Sequence, residues 1–477
     1  MVERPNIIFI VADTVRADML DVYGGRVKTN MLSGIAKKGV VYENAIAPGT
    51  YTVPSHTSIF LNKRVIDIPA MRRDMMKHSD EATDPFLVKS RYIGENELTL
   101  AGKMGYLGYN TALFSNNPFL SRTTGLANGF GYVDNIWFNQ KIDKNRRSVK
   151  MVLKLIENDK IRKRLIRLAY AISRFLPEKR LDELYLKLRL KLNAHFSNEY
   201  GYYELDKGAA ITNKRISRYL DHSPKRSNFI LVNYMEAHEG YPTTLITDGY
   251  TEQDKWLYMS GLVDKSSIPI IKNAYSKRIS YLDSKLSGLL FSLREKGVLD
   301  NAVLVIAGDH GQAFMEHGVM YHNVFPYSEV VRVPLITAKF ENGKQVNTSE
   351  RVENAVSLSA LHNSILDIGY GKSDIVDGNL HAGSYVFSDH VSITEVWDKY
   401  LLELFKVRSK YARTILNTKK FNNSFATAVY KNGLKLIHFH NGAMKDVMFR
   451  LEDATEREDI IDKHRSEAHS MLQAASA

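Results

Sequence analysis

The stretch NIIFIVAD, Asn6 to Asp13, decides how the rest of the chain is read. Ile7 through Ala12 are all apolar, with three isoleucines and a valine, and the run stops abruptly at a carboxylate. An unbroken apolar run of this length, without alternation, predicts a strand covered on both faces, as in a parallel sheet between helices. Two later segments repeat the pattern: NFILVNY (Asn228 to Tyr234) and AVLVIA (Ala302 to Ala307), the second followed at once by Gly308-Asp309-His310-Gly311. Further strands are predicted at Val40 to Tyr42 and Asn110 to Phe114, with another beginning at Val333-Pro334-Leu335-Ile336. Helical spacing of apolar residues runs through Met31 to Lys38, Leu98 to Met104, Ala209 to Leu220 and Ile270 to Leu293. Strands alternating with helices give an α/β fold, a parallel-rich sheet between helices. After about Leu380 the pattern changes to short strands at Thr427 to Tyr430, Leu434 to Phe439 and Asp446 to Leu451, with a turn at Lys431-Asn432-Gly433 and a helix from about Ile460. The expected organisation is a catalytic domain over 1–380, interrupted by an insert at 138–200, and a small α+β subdomain with an antiparallel sheet over 381–477.

Composition limits the chemistry. The chain of 477 residues is 44% hydrophobic and 25% charged, the profile of a folded globular protein. It has no cysteine, which excludes disulfides, thiolate metal sites and cysteine nucleophiles. No stretch approaches the roughly 18 apolar residues of a membrane span. Met1 to Asn6 shows no basic region leading into a secretory hydrophobic segment, so the expected location is cytoplasmic. The net charge of +12 is concentrated: 141–191 holds 17 Lys or Arg against 6 Asp or Glu, and the rest of the chain is nearly neutral. Val149 to Leu155, Ile161 to Leu176 and Leu184 to Leu192 read as basic amphipathic helices, broken at Pro177. They form either a lid over the site or a surface for anionic partners, such as lipid headgroups or a polyanionic substrate. Nothing outside this segment suggests nucleic-acid binding.

Ligands of open parallel sheets bind beyond the carboxyl ends of the strands. Asp13 follows the first predicted strand, and Asp309 and His310 follow a late one. If both strands share a sheet, two carboxylates and an imidazole meet on one edge, a donor set suited to a divalent cation. Thr52-Val53-Pro54-Ser55-His56 reads on its own as a turn with Ser55 capping a helix through Ile59. Beside a metal, the Thr52 hydroxyl has a second use, as a nucleophile whose pKa the metal lowers. His238 and His322 also follow predicted strands or the Asp309 loop, whereas His317 is left outside the set. Asn116 and Asn117 are read as the start of the Pro118 loop.

In order, these segments resemble the sulfatase-like branch of the alkaline phosphatase superfamily. Pro5 to Asp18 with Tyr23-Gly24 resembles its opening, and Ala47-Pro48 through Thr52-Val53-Pro54-Ser55-His56-Thr57-Ser58 resembles its nucleophile signature. Asn233 to His238 is similar to its central histidine motif, and Tyr281-Leu282-Asp283 with Gly308-Asp309-His310-Gly311 through Gly318 to its second metal motif. Arg332 to Ile336, Tyr430 to Ile437 and Leu451-Glu452-Asp453 with Glu456 match its closing elements. The resemblance implies an alkaline-phosphatase-like fold, a metal held by Asp13, Asp309 and His310, and Thr52 as a nucleophile that also binds the metal. It implies an anion contact from His238; in the expected mechanism His56 joins His238 in stabilising the non-bridging oxygens and His322 protonates the leaving group. One or two divalent ions (Mn, Zn, Mg or Ca) are the expected cofactors.

Four positions depart from the pattern. The family's sulfatases carry a cysteine or serine, converted to formylglycine, where Thr52 stands. They usually carry aspartate at Thr14, arginine at His56 and lysine at His322. A threonine nucleophile resembles the phosphodiesterases and the phosphoethanolamine and phosphoglycerol transferases. The expected function is therefore metal-dependent hydrolysis or transfer of phosphate or sulfate esters, with phosphoesters favoured. The alternatives are a sulfatase or a non-catalytic sulfatase-like binding protein. The expected partner is a small-molecule or lipid-linked anionic ester, with peripheral contact to anionic membrane through 141–191.

Overall fold

The computed structural model describes residues 4–71, 91–136, 180, 206–223, 226–239, 268–322, 324–346, 349–373, 385–391, 425–440, 444–453 and 455–476. The basic segment 141–191 falls outside them, Arg180 excepted. In chain order the elements are β1 (Asn6–Ala12), α1 (Asn30–Ala36), β2 (Val40–Ile46), α2 (Thr52–Leu61), α3 (Leu100–Tyr106), β3 (Asn110–Ser115), β4 (Tyr132–Asn135), α4 (Ala209–His222), β5 (Asn228–Tyr234), α5 (Ile268–Glu295) and β6 (Asn301–Ala307). They continue through β7 (Ala313–Phe314), β8 (Met320–Tyr321), α6 (Ser328–Val331), β9 (Arg332–Val333), β10 (Leu335–Glu341), β11 (Lys344–Gln345), β12 (Glu350–Ser357) and α7 (Leu361–Tyr370). The C-terminal part holds β13 (Val386–His390), β14 (Ala426–Lys431), β15 (Leu434–Phe439), β16 (Val447–Arg450) and α8 (Arg465–Ser476).

The main sheet runs β12-β2-β10-β6-β1-β5-β3-β4. β1 lies at its centre, parallel to both β5 and β6, with Val11 opposite Asn233 on one side and Ala307 on the other. Its residues alternate between two cores. Ile7, Phe9 and Val11 join one with residues of α2, α3 and α7, while Ile8, Ile10 and Ala12 join the other with residues of α1, α4 and α5. Burial on both faces is why the run contains no polar residue before Asp13. α5 turns Ile271, Tyr275, Ile279, Leu282, Leu286, Leu289 and Leu293 onto the sheet, a three-and-four spacing that defines its apolar face.

Three features differ from the sequence expectation. β10 runs antiparallel to both β6 and β2. The chain leaving β6 makes no crossover and starts β10 at the same edge, so β10 must run back. β4 and β12, the two ends of the sheet order, escaped notice because neither has an apolar run; β12 is ERVENAVS, largely exposed. Polar residues on edge strands discourage pairing with other chains. Thr52 to His56 is not a loop. α2 begins at Thr52 after Tyr51, which makes no side-chain cap. Pro54 sits in the first turn, where a missing N–H costs nothing. Ser55 caps nothing and donates its hydroxyl to the carbonyl of Asp309 at 2.5 Å.

The second sheet is antiparallel, in the order β13-β14-β15-β16, with α8 packed on it through Ala468, Met471 and Ala475. Asn432 and Gly433 both have positive φ, 49° and 74°, as a two-residue hairpin turn between β14 and β15 requires. The C-terminal part is joined to the rest by the Asp389 N–H donating to the Pro48 carbonyl and by Glu456, whose carboxylate accepts from the Ser328 N–H at 3.0 Å and pairs with the buried Lys435 at 2.6 Å. No helix among the described residues is long and apolar enough to cross a membrane.

Candidate active site

β1, β2, β3, β5 and β6 point the same way, so the residues after each lie on one edge of the sheet. Asp13 follows β1 and Asp309-His310 follows β6. Two glycines let the latter segment pass close to its neighbours. A Cβ at Gly308 would lie 2.8 Å from the Val15 carbonyl oxygen, and one at Gly311 would collide with the backbone of Glu329. Thr14, in the left-handed region at φ 61°, is strained for a β-branched residue. Its N–H donates to Asp309 Oδ1 at 3.3 Å, while its hydroxyl turns back to the Asp13 carbonyl at 2.7 Å. The position thus serves the site through its backbone.

Asp13, Asp309 and His310 are all buried, and one ligand atom from each lies within 4.8 Å of the others. Asp13 Oδ1 and Asp309 Oδ2 are buried carboxylate oxygens without a hydrogen-bond partner. His310 Nδ1 lies 3.0 Å from the Gly311 carbonyl oxygen, which fixes the proton there and leaves the Nε2 lone pair 3.6 Å from Asp13 Oδ1 and 3.7 Å from Asp309 Oδ2. Burial, with the charge of Asp13 second, pushes Asp309 well above the usual carboxylate range. Burial also lowers His310 to about 3, so its ring is neutral at neutral pH. Two unpartnered carboxylate oxygens and an imidazole lone pair fit a divalent cation, whose charge would offset the repulsion between the acids.

Thr52 stands beside this group as the first residue of α2. Its Oγ1 is 3.4 Å from Asp13 Oδ2 and 3.3 Å from His310 Nε2. The ten-residue helix presents its positive end there. His56 lies one turn on, its Nδ1 3.0 Å from the Thr52 carbonyl oxygen and 3.5 Å from Asp309 Oδ2. Burial holds it at about 4, so it is a neutral ring donating to the helix and touching Asp309. His238 and His322 come together after β5 and β8, with ring centroids 4.9 Å apart, and His322 lies 4.6 Å from the His310 ring. His317 is engaged elsewhere, 2.8 Å from Glu329 Oε1 and stacked on Tyr327.

Three residues emerge that the sequence reading left outside the site. Asn117, two residues beyond β3, donates its amide to Asp13 Oδ2 at 2.9 Å and to Thr52 Oγ1 at 3.3 Å. It follows a predicted strand, as Asp13 does, but the adjacent Pro118 gives it the reading of a loop start. Glu239, next to His238, places Oε2 within 3.2 Å of His238 Nδ1 and 3.3 Å of His322 Nδ1. Lys207 donates to the carbonyls of His238 and Glu239 at 2.6 and 2.7 Å and counts Glu236 and Asp13 among its charged neighbours. It precedes α4 in a stretch with no readable pattern.

A mixed, mostly parallel sheet between helices with a small antiparallel sheet appended defines the alkaline-phosphatase-like class of folds. Among solved structures, the chain is similar to the phosphonate monoester hydrolase of Agrobacterium radiobacter (15% identity, TM-score 0.57, covering 99% of this chain and 94% of that one). It is also similar to a putative sulfatase from Bacteroides thetaiotaomicron (14% identity, TM-score 0.60, covering 99% and 92%). An arylsulfatase of Clostridium perfringens is 20% identical over 390 residues, 77% of this chain and 75% of that protein. The Sulfatase family profile matches residues 5–371, so the chain belongs to the sulfatase family. It is accordingly a sulfatase-like ester hydrolase.

Proposed function

We propose that the chain cleaves phosphate esters through a covalent intermediate on Thr52. The observation that carries this reading is the Thr52 hydroxyl within 3.4 Å of both Asp13 and His310, at the start of a helix. Thr52 stands where the family's sulfatases carry a residue convertible to formylglycine, and the chain has no cysteine to convert. A divalent cation on Asp13, Asp309 and His310 would lower the pKa of the Thr52 hydroxyl and offset charge on the transferred group.

The other roles belong to the protein's own side chains. Thr52 Oγ attacks phosphorus in line; the P–Oγ bond forms as the bond to the leaving oxygen breaks, and the Thr52 proton passes to the departing alcohol. Water then attacks the same phosphorus, releases phosphate and restores the hydroxyl. An acceptor alcohol in place of water would make the reaction a transfer. Asn117 holds Thr52 against Asp13 through the two donations of its amide, fixing the direction of the hydroxyl. His56 orients Asp309, and His238 and His322 serve the transferred group and its leaving oxygen.

Family membership makes sulfate esters the competing substrates. Purified full-length protein assayed on matched aryl phosphate monoesters, phosphodiesters and sulfates, each with Mn²⁺, Zn²⁺, Mg²⁺ or Ca²⁺, tests the choice. Faster turnover of a phosphate ester is expected. Turnover of the sulfate alone would overturn the phosphoester reading.

A further inference from the structure

The small C-terminal sheet has two faces with different neighbours. Ile437 and Phe439 turn to the core shared with the main domain, whereas Val429, Leu434 and Leu436 pack beneath α8. Side chains alternate along a strand, so Thr427 and His438 lie on the α8 face, where His440 joins them. The segment His438-Phe439-His440 thus sets two imidazoles side by side, with ring centroids 4.3 Å apart. Each ring is fixed through one nitrogen only. His438 directs Nδ1 at Asp446, 3.0 and 2.9 Å from its two carboxylate oxygens, and Asp446 is itself held by the Phe439 N–H at 2.9 Å. A carboxylate only accepts, so the neutral His438 ring has its proton on Nδ1 and its lone pair on Nε2. His440 is fixed through the opposite nitrogen. Its Nε2 lies 3.0 Å from Thr427 Oγ1, whose own hydrogen goes to Asp389 Oδ1 at 2.8 Å. The Thr427 oxygen is therefore the acceptor, and the His440 lone pair is left on Nδ1. Burial, then the charges of His438 and Arg64, lowers His440 to about 4, so its ring is neutral at neutral pH. Phe425, stacked on it at 4.1 Å, sets the ring plane.

We propose that His438 Nε2 and His440 Nδ1 bind a divalent transition-metal ion on the C-terminal sheet, with zinc or copper the ions an imidazole pair suits. What points to it is the support behind the rings. Metal-binding imidazoles donate their other N–H to a carboxylate or another fixed acceptor, which sets the tautomer and aims the lone pair. Both rings have such support, and it comes from separate segments: Asp446 ahead of β16 for one, Thr427 of β14 backed by Asp389 of β13 for the other. An ion pair alone would account for His438 and Asp446, but not for a neutral, threonine-held His440 beside them. The neighbouring Arg64 guanidinium is turned elsewhere, 3.6 Å from Asp389 Oδ1 and 3.8 Å from the centre of the Phe387 ring. Two protein nitrogens leave the other coordination positions to water, so the ion is exchangeable. The site lies on the face of the small sheet turned away from the main domain, and it shares no residue with the candidate active site.

The experiment counts zinc. Full-length protein is stripped with chelator and equilibrated with Zn²⁺ buffered at a low micromolar free concentration, and bound zinc per chain is measured by elemental analysis. His438→Gln and His440→Gln are treated alike, with circular dichroism and a melting curve to establish that each is folded. Each variant is expected to bind one equivalent fewer than the native chain. The count is a difference between chains that share one active site, so it holds whatever Asp13, Asp309 and His310 bind. Asp446→Asn keeps both ligands but loses the carboxylate behind His438, and is expected to weaken zinc binding here about 10–100-fold. A measurement on the native chain stands apart from the folding of any variant: zinc is expected to protect His438 and His440 from diethyl pyrocarbonate, read by peptide mass spectrometry. Equal zinc in the native chain and the folded histidine variants, or equal modification of both rings with and without zinc, would overturn the site.

Discussion

At the scale of single residues, one amide links the two halves of the candidate chemistry. Asn117 reaches Asp13 Oδ2 at 2.9 Å and Thr52 Oγ1 at 3.3 Å, so it sets where the nucleophile stands relative to its acid. Removing one preorganised donor from such a site lowers kcat about 100-fold or more. Asn117→Ala is therefore expected to lose activity by roughly that factor with little change in melting temperature, measured by steady-state kinetics and calorimetry. Unchanged kcat would remove Asn117 from the site. Asp13, Asp309 and His310 were legible because each follows an apolar run whose burial on two faces is unmistakable. Asn117 was not, because a neutral amide before Pro118 has the look of a turn. Glu239 was hidden by its neighbour: a carboxylate beside His238 has no pattern until His322, distant in sequence, arrives on the same oxygen.

At the scale of elements, the site is an outcome of strand direction. Thr52 belongs to a helix that starts beside the edge where β1 and β6 end, and Ser55 locks that helix to the Asp309 carbonyl. The central strands and α5 were readable from periodicity alone, since their buried faces are continuous. β12 and β4 were not, because edge strands have one neighbour and keep polar residues. The reversal of β10 was not readable either, since direction is set by where the connection runs and not by the strand's own residues. The load carried by α5 is open to measurement. Leu289 is fully buried in the core on one face of the sheet. Leu289→Ala is expected to lower unfolding free energy by about 2–5 kcal/mol in urea denaturation, and a loss under about 1 kcal/mol would mean the helix packs loosely there.

At the scale of the whole molecule, the C-terminal subdomain is joined to the loop that follows Asp309. His317 Nδ1 pairs with Glu329, and its Nε2 lies 3.3 Å from the carbonyl oxygen of Glu456, the residue that pairs with Lys435. Burial disfavours the charged ring, but the Glu329 carboxylate outweighs it and raises His317 above its ordinary 6.5. A raised folded-state pKa means the contribution is complete below about 6.5 and is lost as pH rises through the folded value. The denaturation midpoint is expected to fall over that window in the native chain and to lose this component in His317→Gln. An equal slope in both would exclude the link. The basic segment 141–191 leads to a different expectation: salt-sensitive cosedimentation with anionic but not neutral liposomes, which equal partitioning to both would contradict. The claim on which the account turns is that Thr52 carries the transferred group. Rapid-quench mass spectrometry of the whole chain during turnover of an aryl phosphate, followed by peptide mapping, tests it most directly. The account predicts a phosphoryl group on Thr52 that forms and decays at a competent rate, is absent in Thr52→Ala, and accompanies at least about a 1000-fold loss of activity in that variant. A chain that turns over with Thr52 unmodified, or a Thr52→Ala variant of near-native activity, would contradict it.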